Sequence, residues 1–370
     1  MPPLGLAHVT EHMLFRGGRS HNPSQVFAAV EHLGGSLDAA TAKEYIAISA
    51  VMPQRGWHVA LDVLAEVLIQ ASLQEDDLAH EKLVILQEIH RARDREGVLG
   101  DLFAETLWQA HPLRHPVLGS EAGVAQVTCE LVLAFYRERF VAGNMLLVIC
   151  GDIDHAEAER EAARRFASLP TGSEQCPAAA DEPALSGMRR AHLERNLHQA
   201  QLLVGVPAPD MRDPERSAMR VLERVLGMGV SGRLYQRLRS DAGLVYSVNT
   251  VTAQYEDAGY FAVHTACDPR HVEKVELAVI AEWYRLARAG IGDEELEAAK
   301  NNYAGTLARR FETNLALAGI IGVEGLLHRV EPPDEAVARI QAVQRADVQH
   351  AAQKYLDTGA YVAVTVGQAA

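Results

Sequence analysis

The sequence predicts an α+β protein made of two similarly folded α/β halves, and three observations carry that expectation. The chain has 370 residues, more than one hydrophobic core usually organises, so two domains of roughly 180 residues each are expected. Helix and strand signals are interspersed along both halves rather than segregated. The end of the first half, LVLAFYRERFVAGNMLLVICG, is mirrored by the end of the chain, VQHAAQKYLDTGAYVAVTVG, with Tyr355 standing 219 residues after Tyr136. Between residues 168 and 188 the sequence turns rich in Pro, Ala, Gly and Ser without apolar period, which marks a linker. The expected division is therefore 1–168, a linker at 169–189, and 190–370.

Element by element, Ser24 is expected to cap a helix running through VFAAVEHL to Gly34 and Gly35, where positive φ can end it. SLDAATAKEYIAISAV alternates small, polar and β-branched residues and reads as two strands or a hairpin. Pro53 opens a helix over GWHVALDVLAEVLIQ. A long helix covers approximately Glu75 to Asp94. LVLAFYRERF reads as a helix, followed by a break at Gly143-Asn144 and a strand over MLLVIC. In the second half LHQAQLLVGVPAP reads as a strand, and the chain closes with a helix, a turn and a strand.

Composition excludes several functions. Thirty-five basic against 49 acidic residues give a net charge of -14, without the basic stripe that a phosphate backbone requires, so nucleic acid is not expected as a partner. The most apolar uninterrupted stretch, Met145 to Cys150, is far shorter than the roughly 20 residues of a membrane span. Cys129, Cys150, Cys176 and Cys267 form no CxxC pair and read as reduced thiols. With no signal-peptide pattern at the start, a cytoplasmic location is expected for the chain as given.

The chemistry concentrates in His8-Val9-Thr10-Glu11-His12. On a helix, His8 and His12 lie about 40° apart and Glu11 about 60° to the other side of His8, so all three share one face. Two imidazoles at that spacing can bind one metal ion while the carboxylate reaches a metal-bound water. A catalytic zinc usually takes a third protein ligand. Glu81 and Glu88, seven apart in HEKLVILQEIHRARD, share a helix stripe and could supply it, although acidic residues on an amphipathic helix are more often simply solvated. His21, His32 and His90 lack comparable partner spacing.

HVTEHMLFRGG closely resembles the HxxEH segment of the pitrilysin and insulinase metallopeptidases. In that family the third ligand is a glutamate about 76 residues after the second histidine, within ExxVxxxE; Glu88 stands 76 residues after His12 and Glu81 seven earlier. The resemblance implies Zn²⁺ held by His8, His12 and Glu88, Glu11 as general base, and support from Glu81. LRSDAGLVYSV resembles the family's RxxxGxxY segment, implying that Arg239 hydrogen-bonds the substrate backbone and that the Tyr246 hydroxyl stabilises the developing oxyanion. Gly34 to Thr41 resembles the GGxxNAxT strand, implying substrate pairing along Ser36, Leu37, Asp38 and Ala39, with Asp38 where asparagine is usual.

The family's halves are α+β, each a mainly antiparallel sheet with helices. They ordinarily begin some 40 residues before HxxEH, whereas seven residues precede His8, so either a truncated start or a shortened N-terminal half is expected. The resemblance implies a zinc metalloendopeptidase acting on peptides or unfolded segments, paired as a homodimer. The other reading is a non-proteolytic partner or structural subunit of the same fold. Gly227 to Gly232 also satisfies GxGxxG, but AMRVLERVL before it has helical period, so a turn between helices is expected rather than a nucleotide site.

Overall fold

The computed structural model describes residues 2–18, 22–93, 97–175, 180–327 and 330–368. The first half contains helices α1 (Leu6–Leu14) and α2 (Pro23–Glu31), strands β1 (Ser36–Thr41) and β2 (Ile46–Val51), then helices α3 (Trp57–Ile69), α4 (Glu75–Arg93), α5 (Gly97–Leu107), α6 (Glu121–Gln126), α7 (Cys129–Arg139) and α8 (His155–Arg165). The second contains β3 (Met188–Glu194), β4 (Ala200–Pro207), α9 (Arg216–Gly227), the short turn α10 (Arg233–Tyr235), β5 (Val245–Gln254) and β6 (Gly259–Cys267). Helices α11 (Val272–Ala289), α12 (Asp293–Arg310), α13 (Asn314–Leu326), α14 (Pro333–Ala342) and α15 (Arg345–Leu356) follow, and β7 (Tyr361–Gly367) closes the chain. The protein is α+β with two separate sheets, as expected.

Contacts gather these elements into two compact units that are discontinuous in sequence. One comprises Met1–Asp94, His115–Ala178 and Phe311–Val330; the other comprises Arg95–Arg114, Ala179–Arg310 and Glu331–Ala370. Composition alone drew one boundary at 169–189, whereas contacts move residues 95–114 to the second unit and 311–330 to the first.

In the first unit β1 and β2 form an antiparallel hairpin, Ser36 opposite Val51 and Thr41 opposite Ile46. Among the described residues the other edge of β1 carries no strand. Helix α2 is capped by Asn22 rather than Ser24. The Asn22 side chain accepts the Gln25 N–H at 3.0 Å, the Gln25 side chain accepts the Asn22 N–H, and Ser24 donates its hydroxyl to Asn22. Pro23 then occupies the first helical position, where its missing N–H costs nothing.

The expected strand at 145–150 is not one. Met145 is extended, with φ -133° and ψ 147°, but no ladder forms along the segment. Its counterpart β7 lies between β3 and β4, which supply its hydrogen-bonding partners on both sides. Among the described residues no strand flanks 145–150 in that way, and high β propensity without a partner does not make a sheet. Helix α13 packs there instead. Gly325 and Gly322 allow it to approach, since a Cβ at these positions would come within 2.5 Å of the Leu146 side chain and 3.8 Å of the Val148 side chain.

In the second unit the sheet order is β3-β7-β4-β6-β5; β3 pairs parallel to β7 and every other pairing is antiparallel. Alternation along the strands gives the sheet two apolar faces. Leu202, Val204, Phe261 and Val263 face a core built with α9, α11 and α15, including Leu222, Trp283 and Val348. On the opposite face Leu203, Ala262, Val362 and Val364 meet Leu99, Phe103 and Leu107 of α5. The Phe103 ring sits over Gly205, where an added Cβ would come within 2.5 Å of it. Phe103 is fully buried. Phe103→Ala is therefore expected to cost about 3–5 kcal/mol, measured by chemical denaturation.

The segment Gly227–Gly232 connects α9 to α10 through one 3₁₀ turn, as the helical period upstream predicts. Cys129, Cys150 and Cys267 are free thiols, while Cys176 and His21 lie outside the described residues. Among the described residues no helix is long and apolar enough to cross a membrane.

Candidate metal centre

Two apolar stripes bring the chemistry together. Leu6, Val9 and Met13 on α1 pack against Leu78, Ile85 and Ile89 on α4 in one buried cluster. His8 and His12 flank the first stripe, and Glu81 and Glu88 flank the second. Packing the stripes therefore presses imidazoles against carboxylates.

Glu88 Oε2 lies 3.5 Å from His8 Nε2 and 3.5 Å from His12 Nε2. One ligand atom from each of these three residues falls within 4.8 Å of the others, a cluster able to hold a metal ion. Bonds of about 2.0–2.1 Å in tetrahedral geometry separate such donors by about 3.3–3.4 Å. Both histidine–Glu88 separations are close to that value, and imidazole with carboxylate is a donor set zinc accepts.

Glu81 does not join the cluster. Its carboxylate accepts the His12 Nδ1–H at 2.8 Å, which directs the Nε2 lone pair of His12 toward Glu88. Arg16 pairs with Glu81 at 3.2 Å and with Asp77 at 3.1 Å. Burial opposes charge on Glu81, but the hydrogen bond and charge of His12, and then Arg16, outweigh it and lower its pKa. His8 has no equivalent support, since its buried Nδ1 has no hydrogen-bond partner among the described residues.

Burial, and then the charge of His12, push the His8 imidazole down to about 4, which leaves it neutral at pH 7. Burial also opposes charge on His12, but the hydrogen bond to Glu81 and the charges of Glu88, Glu81 and Glu11 outweigh it and raise its pKa. A proton on His12 must leave before a metal can bind there. Apparent zinc affinity is thus expected to fall about tenfold per unit once pH drops below the raised pKa of His12, while His8 competes for protons only near pH 4. Competition titrations against a chromogenic chelator at several pH values measure this.

Glu11, buried on the same helix, accepts a hydrogen bond from the Thr41 hydroxyl on its Oε2. Burial raises its pKa above the usual carboxylate value, opposed by the Thr41 bond and the charge of His12. A base with a raised pKa and one oxygen fixed is suited to take a proton from water with the other. β1, carrying Thr41, also carries Ser36, Leu37, Asp38 and Ala39. Asp38 is exposed, and its carboxylate accepts the Ala39 N–H at 3.0 Å.

Arg239 and Tyr246 are brought together within the second unit. Arg239 sits on the π-helical turn Gln236–Asp241 after α10, and Tyr246 on β5 is 73% exposed. The sequence pattern assigns no role to Thr41 or Arg16. Arg16 carries a usable signal, since it stands four residues after His12. Thr41 closes the GGxxNAxT resemblance, but that pattern does not name its partner, which lies 30 residues away. His32 and His90 are exposed and outside the cluster.

Two imidazoles and a carboxylate at ligand spacing, with a second carboxylate on the helix of the HxxEH motif, are the donor set used by mononuclear metallopeptidases. The chain belongs to the pitrilysin/insulinase family: residues 3–121 match the family described as insulinase (peptidase family M16), and residues 126–303 match the peptidase M16 inactive domain. It is 32% identical over 361 residues to an uncharacterized zinc protease of Streptomyces coelicolor, covering 95% of this chain and 78% of that protein. The uncharacterized zinc protease YmxG of Bacillus subtilis is 26% identical over 341 residues, covering 92% and 82%. Among solved structures, a protease from Helicobacter pylori superposes with a TM-score of 0.91 at 20% identity, covering 99% of this chain and 90% of that one. A peptidase M16 inactive domain from Pseudomonas fluorescens gives 0.89 at 23%, covering 100% and 89%.

Proposed function

We propose that this protein is a zinc-dependent metalloendopeptidase that hydrolyses peptide bonds in short or unfolded polypeptides. The observation that carries the reading is the convergence of His8, His12 and Glu88 at ligand spacing, with Glu11 poised on the same helix. His8 Nε2, His12 Nε2 and Glu88 Oε2 would hold the ion. When bound, zinc supplies Lewis acidity toward the scissile carbonyl and lowers the pKa of water.

The remaining work falls to the chain's own groups. Glu11 accepts the proton of the attacking water on the oxygen not held by Thr41, then delivers it to the leaving amine. The edge of β1 that carries no strand among the described residues is available to an extended substrate along Ser36 to Ala39, the Ala39 N–H being held by Asp38. Asp38 has no amide hydrogen to donate there, so recognition along β1 rests on the backbone. Arg239 and Tyr246 take the roles the family resemblance implies, hydrogen bonding to substrate and stabilising the oxyanion.

The test is metal content joined to cleavage of an unstructured peptide library. One zinc per chain, cleavage abolished by chelator and restored by zinc, is the expected result. Stoichiometric zinc with no cleavage would favour the partner-subunit reading instead. The homodimer implied by the resemblance is checked by light scattering, where an active species of only 40.3 kDa would exclude it.

A further inference from the structure

The neighbourhood of Arg239 contains one aromatic residue that the family resemblance does not assign. The Arg239 guanidinium lies between two rings, 5.1 Å from the centroid of Tyr235 and 4.4 Å from that of Tyr246. Its Nη1 donates to the backbone carbonyl of Tyr246, and it makes no other hydrogen bond among the described residues. Nε and Nη2 are therefore left for a ligand.

The two rings differ in support. Tyr246 is 73% exposed, projected where the β5–β6 register shifts between Val245 and Val248. Tyr235 is half-buried against the core of the second unit, one helical turn before Arg239. The turn that joins them is fixed as well. Gly243 takes φ 61°, the Gly243 N–H bonds the Arg239 carbonyl at 3.1 Å, and the Leu244 N–H bonds the Leu238 carbonyl at 2.9 Å. An exposed arginine otherwise samples many rotamers, and ordering it on binding costs affinity. A cation resting on an anchored ring has part of that ordering done in advance.

We propose that Tyr235 is a positioning residue for Arg239, its ring holding the guanidinium so that Nε and Nη2 meet the backbone carbonyls of an extended peptide substrate. The proposal rests on the reading that Arg239 engages substrate. The Tyr235 hydroxyl makes no hydrogen bond among the described residues, so the ring carries the effect.

The experiment is steady-state cleavage of a fluorogenic unstructured peptide by the zinc-loaded parent and by Tyr235→Leu, Tyr235→Phe, Arg239→Ala and the Tyr235→Leu/Arg239→Ala double variant. Zinc content and thermal midpoint are measured alongside. Tyr235→Leu is expected to raise KM about tenfold with a smaller change in kcat, Tyr235→Phe to recover most of that loss, and Tyr235→Leu to add nothing once Arg239 is alanine. A merely structural role would lower the active fraction, and hence kcat, at constant KM. Parental KM for Tyr235→Leu, failure of phenylalanine to rescue, or additive effects in the double variant would overturn the proposal while leaving a defective Arg239→Ala to support the parent reading. Parental kinetics for Arg239→Ala would remove the substrate role of Arg239 and the proposal with it.

Discussion

Replacing Glu11 by glutamine is expected to lower kcat for peptide cleavage about 10³-fold while the bound zinc stays in place. Glutamine keeps the length of the side chain and can still accept the Thr41 hydroxyl through its amide oxygen, so the local packing survives. What it loses is basicity, and positioned general acid–base groups contribute roughly 10²–10⁴ in rate. Glu11 is not among the three converging donors, so metal content should be unchanged. Cleavage at the parental rate by the zinc-loaded variant would remove Glu11 from the mechanism.

Replacing Glu88 by alanine is expected to weaken zinc binding by roughly 10²-fold or more, with activity lost in proportion at limiting metal. Zinc sites with four ligands bind with about 10–16 kcal/mol, so one donor in four carries on the order of 3 kcal/mol. The Glu88 side chain is 40% exposed, so its truncation leaves no buried cavity and the fold should be retained. Glu81→Gln tests the supporting role separately. It keeps a hydrogen-bond acceptor for His12 but removes the charge, and changes of this kind cost about 10–100-fold in metal affinity. Equal affinity for parent and Glu88→Ala, measured by chelator competition, would show that Glu88 is not a ligand.

Much of the candidate site is legible in the sequence because its geometry is local. Helical periodicity by itself puts His8, Glu11 and His12 on one face, and puts Glu81 and Glu88 on one stripe. The partnership between those two helices is not local. It comes from a family spacing of 76 residues, and the structure supplies its physical basis in the packing of Leu6, Val9 and Met13 against Leu78, Ile85 and Ile89. The supporting contacts are legible in uneven degree. Arg16 follows the motif by one turn, while Thr41 reaches Glu11 only because the β1–β2 hairpin lies beside α1.

Where expectation and structure part, one cause is shared. MLLVIC has every intrinsic preference of a strand, yet a strand exists only through its neighbours, and among the described residues none lies beside it. Helix α5 buries Leu99, Phe103 and Leu107 against an apolar face that local sequence does not specify. In the structure that face is the reverse side of the five-stranded sheet, made of residues from 203 to 366. The sequence alone determined the α+β class, the two extended segments of the hairpin, the long α4 helix, and the shared faces of His8, Glu11 and His12 and of Glu81 and Glu88. The shared faces follow from helical periodicity, whereas the pairing of the two helices rested on the family resemblance. Only the tertiary structure decided which unit α5 and α13 join and which extended segment becomes a strand, because those outcomes depend on what surface each segment finds to bury itself against.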